Sequence, residues 1–256
     1  MHMYSFRRII KACRWFFFGQ PWQKRRVRHE CARLAASVFG DYPVSDDYKR
    51  WRDDTEFLRN YRRLNPNNYF SEDRKYALRE LARSTKDLEG VIAECGCYEG
   101  ASSWFIADAL PGITFYIFDS FEGLSEPGKK DLVQDENYQN WNQGDMESSE
   151  SMLRNNLREF ENIHVLKGWI PERFNEVETE RFRFVHIDLD LYDPTYASLE
   201  FFYPRTTGGG IIVLDDYGST KCPGAFDAVN DYMQDKREYV VHLPTAQGVI
   251  IKRNSV

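Results

Sequence analysis

The side chains best suited to chemistry are two groups of acids, each directly after an apolar run typical of a buried strand. Asp188 and Asp190 follow His186-Ile187, and Asp215 and Asp216 follow the next apolar run. Carboxylates at neighbouring strand ends repel one another in a dry crevice, and a hard divalent cation with oxygen ligands neutralises them. A lone Asp-x-Asp favours helix capping instead. Two groups on successive strands predict a metal site.

A second candidate site follows the first apolar strand, in the segment 94–100 with the sequence ECGCYEG. Its glycines let the main chain approach a ligand, and the helix expected near Ala101 presents free N–H groups. The spacing departs from Gly-x-Gly-x-x-Gly, so a tight turn without a ligand is the alternative. Asp119, after the second strand, is placed to accept hydrogen bonds from two ribose hydroxyls, and Glu94 to meet an ammonium group. Together these acids predict ligand binding where nucleotide-like molecules bind open α/β sheets.

Short apolar runs alternate with helix-length segments from Gly90 onward, which predicts a parallel sheet with helices on both faces. The expected strands are Val91–Ala93, Phe115–Phe118, Ile163–Leu166, Phe184–Ile187 and Ile211–Leu214. After a predicted helix over Ala225–Met233, the runs 239–243 and 249–252 are close enough for an antiparallel hairpin. The fold class is therefore α/β, with a C-terminal hairpin on a mostly parallel sheet.

The segment before this sheet has a helical pattern. Its expected helical face and caps are marked by Val27, Cys31, Leu34, Ala35, Val38, Ser45 and Ser71. We therefore expect residues 1–88 to form a helical extension and cap, and residues 89–256 to form the catalytic domain.

The chain begins with a basic and aromatic segment. Residues 1–30 contain eight Lys or Arg and one acid, whereas the whole chain has a net charge of −6. Phe16, Phe17 and Phe18 lie among these charges, so an amphipathic helix could rest on an anionic membrane or dock on a partner. The apolar run is too short to cross a bilayer, and no signal-peptide cleavage pattern follows. Peripheral membrane contact of residues 1–20 and a homo-oligomer are both expectations, and vesicle flotation with and without these residues tests the first.

Composition limits the class of protein. The 256 residues are 42% hydrophobic and 29% charged, as in globular chains, and the five cysteines lack zinc-site spacing. We interpret them as reduced thiols of a cytoplasmic protein, and the basic segment extends this expectation to the inner face of the membrane. The expected partner is a small-molecule or glycan acceptor and not a nucleic acid.

Several motifs together resemble one family, the macrocin O-methyltransferases, which are class I enzymes that use S-adenosylmethionine and often modify sugars. The matching segments, in the family's order over about residues 90–253, are ECG at 94–96 with Gly100, FDSFEGL at 118–124, KGW at 167–169, DLDLY at 188–192, and GG at 209–210 leading to DDYG at 215–218. The combination is specific although each piece is not.

The resemblance implies a role for each matching position. Residues holding the methyl donor would be Glu94, Gly96, Gly100, Asp119, Ser120, Gly168 and Trp169, with Ser149 as a weaker candidate. Mg2+ would be bound by Asp188, Asp215 and Asp216. Asp190, the nearest carboxylate left over, would act as the base, because no histidine occurs between Asp119 and His164 where some relatives place one.

The expected reaction is metal-assisted methylation of a sugar hydroxyl, since a divalent cation stabilises a developing alkoxide. Residues 125–145 are expected to form a mobile lid over the acceptor, and Asp193 to cap a helix. A glycosyltransferase that uses Asp188 and Asp190 as its metal motif is one alternative, although it leaves Asp215 and Asp216 without a role. The other is a noncatalytic subunit recruited to a membrane; a nicotinamide enzyme fits worse, because the three-glycine spacing is missing.

Overall fold

The structure is a computed structural model that describes residues 13–20, 23, 24, 27, 31, 50–64, 71–133 and 139–254. It divides into two compact units, Met1–Leu58 and Arg59–Val256. This boundary lies earlier than the expected one at residue 88, because the helix Glu72–Ser84 packs against the helix Ala101–Ala109 and so belongs to the larger unit. Most of the expected helix between Val27 and Val38, with Ser45, lies outside the described residues.

The smaller unit contains a short helix with exposed aromatic side chains. Residues 13–18 are helical, and the side chains of Phe16, Phe17 and Phe18 are exposed. Among the residues that the structure describes, no helix has the length and apolar character that crossing a membrane requires. Residues 1–12 lie outside the described part, so membrane contact of this segment stays a prediction.

The elements match the expected alternation of strands and helices. From residue 50 onward, the helices are α1 (Thr55–Leu64), α2 (Glu72–Ser84), α3 (Ala101–Ala109), α4 (Glu150–Asn156), α5 (Tyr192–Phe202) and α6 (Pro223–Met233). The strands are β1 (Val91–Cys95), β2 (Phe115–Asp119), β3 (Ile163–Lys167), β4 (Phe182–Ile187), β5 (Thr206–Leu214), β6 (Val240–His242) and β7 (Gly248–Ile251).

The strands form one seven-stranded sheet in the order β3-β2-β1-β4-β5-β7-β6. The first five strands of this order are parallel, and β7 pairs antiparallel with both β5 and β6. This confirms the predicted mostly parallel sheet with a C-terminal hairpin. The chain order reverses between β1 and β4, where open α/β sheets form their binding crevice.

The strand register brings the candidate residues to one level. Cys95 at the end of β1 pairs with Phe118 of β2 and with Ile187 of β4, and Ile187 pairs with Leu214 of β5. The next residue of each strand therefore stands in the same row at the carboxyl edge of the sheet. In sheet order these residues are Asp119, Gly96, Asp188 and Asp215.

Buried aromatic rings support one face of the sheet beneath this edge. The ring centroids of Phe174 lie 5.1 Å from Phe118 and 4.9 Å from Phe202, and Phe182 lies 4.9 Å from Phe202, all in edge-to-face contact. Such pairs stabilise a core by about 0.5–1.5 kcal/mol each beyond the area they bury. This packing stabilises the strands whose carboxyl ends carry the row of candidate residues.

One predicted helix start is wrong. Asp193 was expected to cap α5, but Leu191 holds the N-cap position and Asp193 lies in the first turn. The main-chain N–H of Tyr192 instead donates to Oδ1 of Asp131, at 2.7 Å, from a distant segment. A cap supplied by tertiary contact has no signature in the local sequence.

Candidate active site

A cavity of about 680 Å³ opens at the carboxyl edge of the sheet. Ligand sites commonly measure roughly 300–1,000 Å³, so this is the size of a small-molecule site. Among the residues that line it are nine of the candidate binding and catalytic residues: Gly96, Asp119, Ser120, Gly168, Trp169, Asp188, Asp190, Asp215 and Asp216. The structure thus brings both candidate sites into one space.

Asp119 is held at the end of β2 by main-chain donors. Its Oδ2 accepts from the N–H of Cys97 at 2.8 Å and of Tyr98 at 3.3 Å, and its Oδ1 accepts from the N–H of Phe121 at 2.8 Å. Since a carboxylate oxygen has two lone pairs, Oδ1 keeps one for another donor. The carboxylate is therefore fixed beside the cavity with acceptor capacity left for a hydroxyl group.

Glycines line the cavity wall where two segments of the main chain come too close together for a Cβ atom. Gly96 has a φ of +80°, and a Cβ there would lie 1.9 Å from the carbonyl oxygen of Asp188. Gly168 follows β3 with its N–H bonded to the carbonyl of Asp119 at 3.0 Å, and Trp169 extends the wall beyond it. The tight approach of β1 to β4 alone accounts for Gly96.

Ser120 forms a side-chain turn next to Asp119. Its Oγ accepts from the N–H of Glu122 at 3.1 Å and donates to the carbonyl of Gly123 at 3.2 Å. The hydroxyl shapes the loop after β2 and also lines the cavity.

Glu94 is not part of the cavity wall. Its side chain is fully buried beneath the edge, where Oε2 accepts from the hydroxyl of Ser103 and Oε1 lies 2.8 Å from Nδ1 of His186. Both carboxylate oxygens are engaged inside the protein. The structure therefore does not place Glu94 where it would meet an ammonium group of a ligand.

Gly100 and Ser149 also lie away from the residues that line the cavity. Gly100 has a φ of +87°, and a Cβ there would lie 2.5 Å from Cδ1 of Leu153, so its glycine is needed for packing between α3 and α4. Ser149 holds the N-cap position of α4, and its Oγ lies 2.7 Å from Oγ of Ser151. Neither residue lines the cavity where most of the residues expected to bind the methyl donor lie.

Asp215 is surrounded by donors. Its Oδ1 accepts from Nε2 of Gln247 at 2.7 Å and lies 3.3 Å from Nε2 of His186, while a guanidinium nitrogen of Arg74 donates to Oδ2 at 2.5 Å. Burial disfavours the charged carboxylate, but Lys75, Arg74 and His186 outweigh it and hold the pKa of Asp215 well below its ordinary value. Asp215 is therefore ionised.

His186 bridges the two buried acids. Its ring nitrogens face Glu94 on one side and Asp215 on the other. Burial lowers the pKa of an imidazole, but Asp215 and Glu94 outweigh burial and raise the pKa of His186 to about 9. Because both ring nitrogens are committed to these carboxylates, the ring orients the two acids.

The remaining acids crowd together in front of this bridge. The ligand atoms fall into two sets, each within 4.8 Å: His186, Asp188 and Asp215 in one, and Asp190, Asp216 and Cys222 in the other. Oδ2 of Asp216 accepts from the N–H of Asp190 at 3.3 Å, and Sγ of Cys222 donates to Oδ1 of Asp190 at 3.1 Å. The three expected metal ligands thus belong to two adjacent sets rather than one.

Burial, and then mutual repulsion, raises the pKa values of these carboxyl groups. Burial, then the charges of Asp215 and Asp216, raises the pKa of Asp188 well above its usual value. Burial and Asp188 raise the pKa of Asp190 to about 7, and burial and Asp190 raise that of Asp216 to about 7. The group holds more negative charge than its protein surroundings compensate.

Two cations of this site were missed in the sequence. Arg74 and Lys75, from the first turns of α2, line the cavity, and Arg74 also lies 3.5 Å from Asp216. A Lys or Arg in the first turns of a helix gives no sequence pattern that indicates a site. Ser71 was predicted as a cap of this helix, and it does hold the N-cap position, although its side chain makes no cap hydrogen bond.

The charges present favour an added divalent cation. With every carboxyl ionised, the five acids Glu94, Asp188, Asp190, Asp215 and Asp216 would face the three cations Arg74, Lys75 and protonated His186, an excess of two negative charges. The raised pKa values of Asp188, Asp190 and Asp216 show that this ionisation is unfavourable without further positive charge. Oxygen donors with this residual charge suit Mg2+ in type and number. Arg74 already uses one oxygen of Asp215, so a bound cation would share or displace that contact.

Comparisons with known proteins identify a family for this chain. A family model described as Macrocin-O-methyltransferase (TylF) matches residues 71–242. The chain is 30% identical to 8-demethyl-8-(2,3-dimethoxy-alpha-L-rhamnosyl)-tetracenomycin-C 4'-O-methyltransferase of Streptomyces olivaceus, over 57% of this chain and 58% of that relative. It therefore spans less than two thirds of that relative's length.

Two further matches cover more of the chain. Demethyldecarbamoylnovobiocin O-methyltransferase of Streptomyces niveus is 26% identical over 78% of this chain and 81% of its own length. The solved structure of the calicheamicin methyltransferase CalS11 superposes with a TM-score of 0.60 at 21% identity, covering 91% of this chain and 93% of that one. At this identity, the structural match shows a shared fold.

Proposed function

Because the chain belongs to the macrocin O-methyltransferase family, we propose that it transfers a methyl group from S-adenosylmethionine to a hydroxyl of a sugar or sugar-containing acceptor, assisted by a divalent cation such as Mg2+. One observation carries this proposal. One cavity is lined both by the residues after β1, β2 and β3 that are expected to bind the methyl donor and by the acids after β4 and β5.

A sugar acceptor is supported by the relatives and by the acidity of the cavity. The name of one relative specifies a rhamnosyl group that is already methoxylated. Hydroxyl groups can donate to the carboxylates of Asp188, Asp190 and Asp216, whereas an anionic acceptor would be repelled by them. An Asp-x-Asp glycosyltransferase would leave Asp215 and the loop after β1 without a role, so methyl transfer accounts for more of the site.

The donor half of the cavity would bind S-adenosylmethionine. Asp119 would accept from the ribose hydroxyls through Oδ1, and Ser120 would shape the loop beside it. Gly96 would let the main chain approach the amino-acid portion, and Gly168 with Trp169 would contact the adenine. Glu94, Gly100 and Ser149 would act indirectly, since they support the wall without lining it.

Asp188, Asp215 and Asp216 would hold the divalent cation. The chemistry such a cation supplies is stabilisation of an oxyanion and orientation of the acceptor oxygen. His186 and Gln247 hold Oδ1 of Asp215, which directs Oδ2 toward Arg74 and the cavity. The protein residues therefore aim one oxygen of Asp215 in advance.

Asp190 would take the proton. As the acceptor oxygen forms its bond to the methyl carbon and the carbon–sulfur bond breaks, the hydroxyl proton passes to Asp190 and S-adenosylhomocysteine leaves. A pKa of about 7 suits a general base near neutral pH. The N–H of Asp190 is bonded to Asp216, which keeps the base beside the proposed cation ligands.

Isothermal titration tests the donor assignment directly. We expect S-adenosylhomocysteine to bind with a dissociation constant in the micromolar range, and a nucleotide sugar such as UDP-glucose to bind far more weakly. Tight binding of UDP-glucose without binding of S-adenosylhomocysteine would overturn the proposal. Methyl transfer to methyl α-L-rhamnopyranoside that EDTA abolishes and Mg2+ restores would support the cation, and transfer unaffected by EDTA would remove it.

A further inference from the structure

Three consecutive phenylalanines are exposed at the end of a helix in the smaller unit. The exposed fractions of Phe16, Phe17 and Phe18 are 48%, 64% and 87%, so exposure rises toward the helix end. Single exposed apolar residues are common on protein surfaces, whereas a contiguous exposed group marks an interaction surface. The phenylalanine tip, which we define as Phe16–Phe18, is therefore a candidate for contact with another molecule.

The helix ends directly after the phenylalanine tip. Residues 13–18 are helical, whereas Gly19 and Gln20 are not. The N–H of Gly19 donates to the carbonyl of Trp15 at 3.0 Å, and a Cβ on Gly19 would lie 2.4 Å from that oxygen. The N–H of Gln20 donates to Oε1 of Gln23 at 2.8 Å, where helical structure resumes. The three rings thus stand at a break between two helical segments.

The tip is not one face of an amphipathic helix. Successive residues of an α-helix point about 100° apart, so the three rings cover roughly 200° of the helix circumference. The ring centroids of Phe16 and Phe17 lie 5.2 Å apart, and those of Phe17 and Phe18 lie 6.2 Å apart. A groove on a partner protein binds one face of a helix, with contacts at positions i, i+3 and i+4. A lipid surface can surround the end of a helix on all sides, so it fits this arrangement better.

The charge around the tip selects the kind of lipid surface. Residues 1–30 contain eight Lys or Arg and one acid, an excess of seven positive charges. Since the whole chain has a net charge of −6, the rest of the chain carries −13. Arg14, four residues before Phe18, is exposed. Anionic headgroups attract a basic segment and repel an acidic one, so only this segment would approach an anionic bilayer.

We propose that the phenylalanine tip inserts into the headgroup region of an anionic bilayer, while the basic residues around it contact the lipid phosphates. Rings at this depth, combined with electrostatic attraction, produce peripheral and reversible binding. The attachment goes beyond the methyl transfer proposed above and does not depend on it.

Flotation of the full chain with lipid vesicles tests this attachment. The probes are vesicles of phosphatidylcholine alone and vesicles of an equimolar mixture of phosphatidylcholine and phosphatidylserine. We expect the protein to float with the mixed vesicles at low salt and to be released as salt rises, because salt screens the headgroup charge. The double variant Phe17→Ser/Phe18→Ser should bind roughly 10- to 100-fold more weakly, because it removes two inserted apolar side chains.

Tyr239→Ser is the matched control for the double variant. Tyr239 is 86% exposed but belongs to the acidic part of the chain, so vesicle binding should be unchanged. Neither Phe17 nor Phe18 is among the residues that line the cavity, so S-adenosylhomocysteine should bind the double variant as it binds the unaltered protein. Vesicle binding and donor binding are therefore independent results, and an equal thermal unfolding midpoint shows that the double variant is folded.

The outcomes separate lipid from protein as the molecule that covers the tip. Absence of flotation, equal binding to both kinds of vesicle, or equal binding of the double variant and the unaltered protein would overturn the proposal. A dimer in analytical ultracentrifugation that the double variant dissociates, without any flotation, would assign the tip to a second copy of this chain instead.

Discussion

The two halves of the cavity hold their acids in different ways. At the donor half, Asp119 is bound by three main-chain N–H groups from the loops that follow β1 and β2. At the acidic half, Asp215 is bound by the side chains of Arg74, His186 and Gln247, which come from α2, β4 and the turn before β7. One carboxylate is fixed by the backbone near it, and the other by distant side chains.

The difference predicts different sensitivities. Apart from substitution by proline, a change of side chain leaves a main-chain N–H in place, so the donor half should tolerate changes in neighbouring side chains. The acidic half contains like charges whose repulsion is only partly compensated by a few cations, so a change at one position alters the pKa of the others. Substitutions in the two halves should therefore separate donor binding from turnover.

The largest effect is expected for Asp215→Asn. The variant removes a full charge from the proposed cation site, so Mn2+ affinity and turnover should each fall on the order of 100-fold or more. Binding of S-adenosylhomocysteine should stay within about two-fold, because the donor half is untouched. Titration calorimetry with both ligands measures the split, and normal turnover would show that Asp215 holds no catalytic cation.

Asp190→Asn is the matched control for that variant, since it removes the same charge from the adjacent set of acids. Turnover should again fall by about 100-fold, the lower range for a general base, while Mn2+ affinity changes little. Loss of Mn2+ binding equal to that of Asp215→Asn would make Asp190 a ligand instead of the base.

Asp119→Asn should have a smaller effect, and it should weaken donor binding instead of cation binding. Loss of a charged acceptor for the ribose hydroxyls should weaken S-adenosylhomocysteine binding about ten-fold or more. Mn2+ affinity should be unchanged, because the acidic half is bound by other residues. If donor affinity stays the same while Mn2+ affinity falls, the two halves have been assigned the wrong way round.

The smallest effect concerns Gly100, which supports the wall without lining it. Gly100→Ala places a Cβ 2.5 Å from Leu153 at a positive φ, and should lower the free energy of unfolding by about 1–3 kcal/mol. Gly112→Ala is the matched control, since Gly112 has a φ of +76° but nothing within 4 Å of its added Cβ. Urea unfolding of the pair isolates the packing cost, and equal losses would show that only backbone strain matters. Affinity for S-adenosylhomocysteine should be unchanged in both.

The placement of the residues in the proposed donor half could be largely predicted from the sequence, because its information is local. An apolar strand followed by Asp119 or by Gly96 is visible within a few residues, and parallel strands bring such ends to one edge. The hairpin of β6 and β7 was predicted for the same reason. The prediction was weaker for Glu94, since a strand pattern does not show whether an end residue faces the cavity or the core.

The acidic half shows the limit of sequence reasoning. Its four cavity-lining acids were found, but their partners were not, because Arg74 and Asp215 are 141 residues apart and no motif links them.

The bridge of Glu94, His186 and Asp215 has a consequence for how this protein can diverge. A buried imidazolium between two carboxylates leaves an uncompensated charge if any one of the three is lost. Drift at these positions should therefore proceed by concerted replacement, with relatives that lack the histidine also exchanging at least one acid. Across an aligned set of homologues, these three columns should co-vary, whereas the position of Asp119 should vary independently of them.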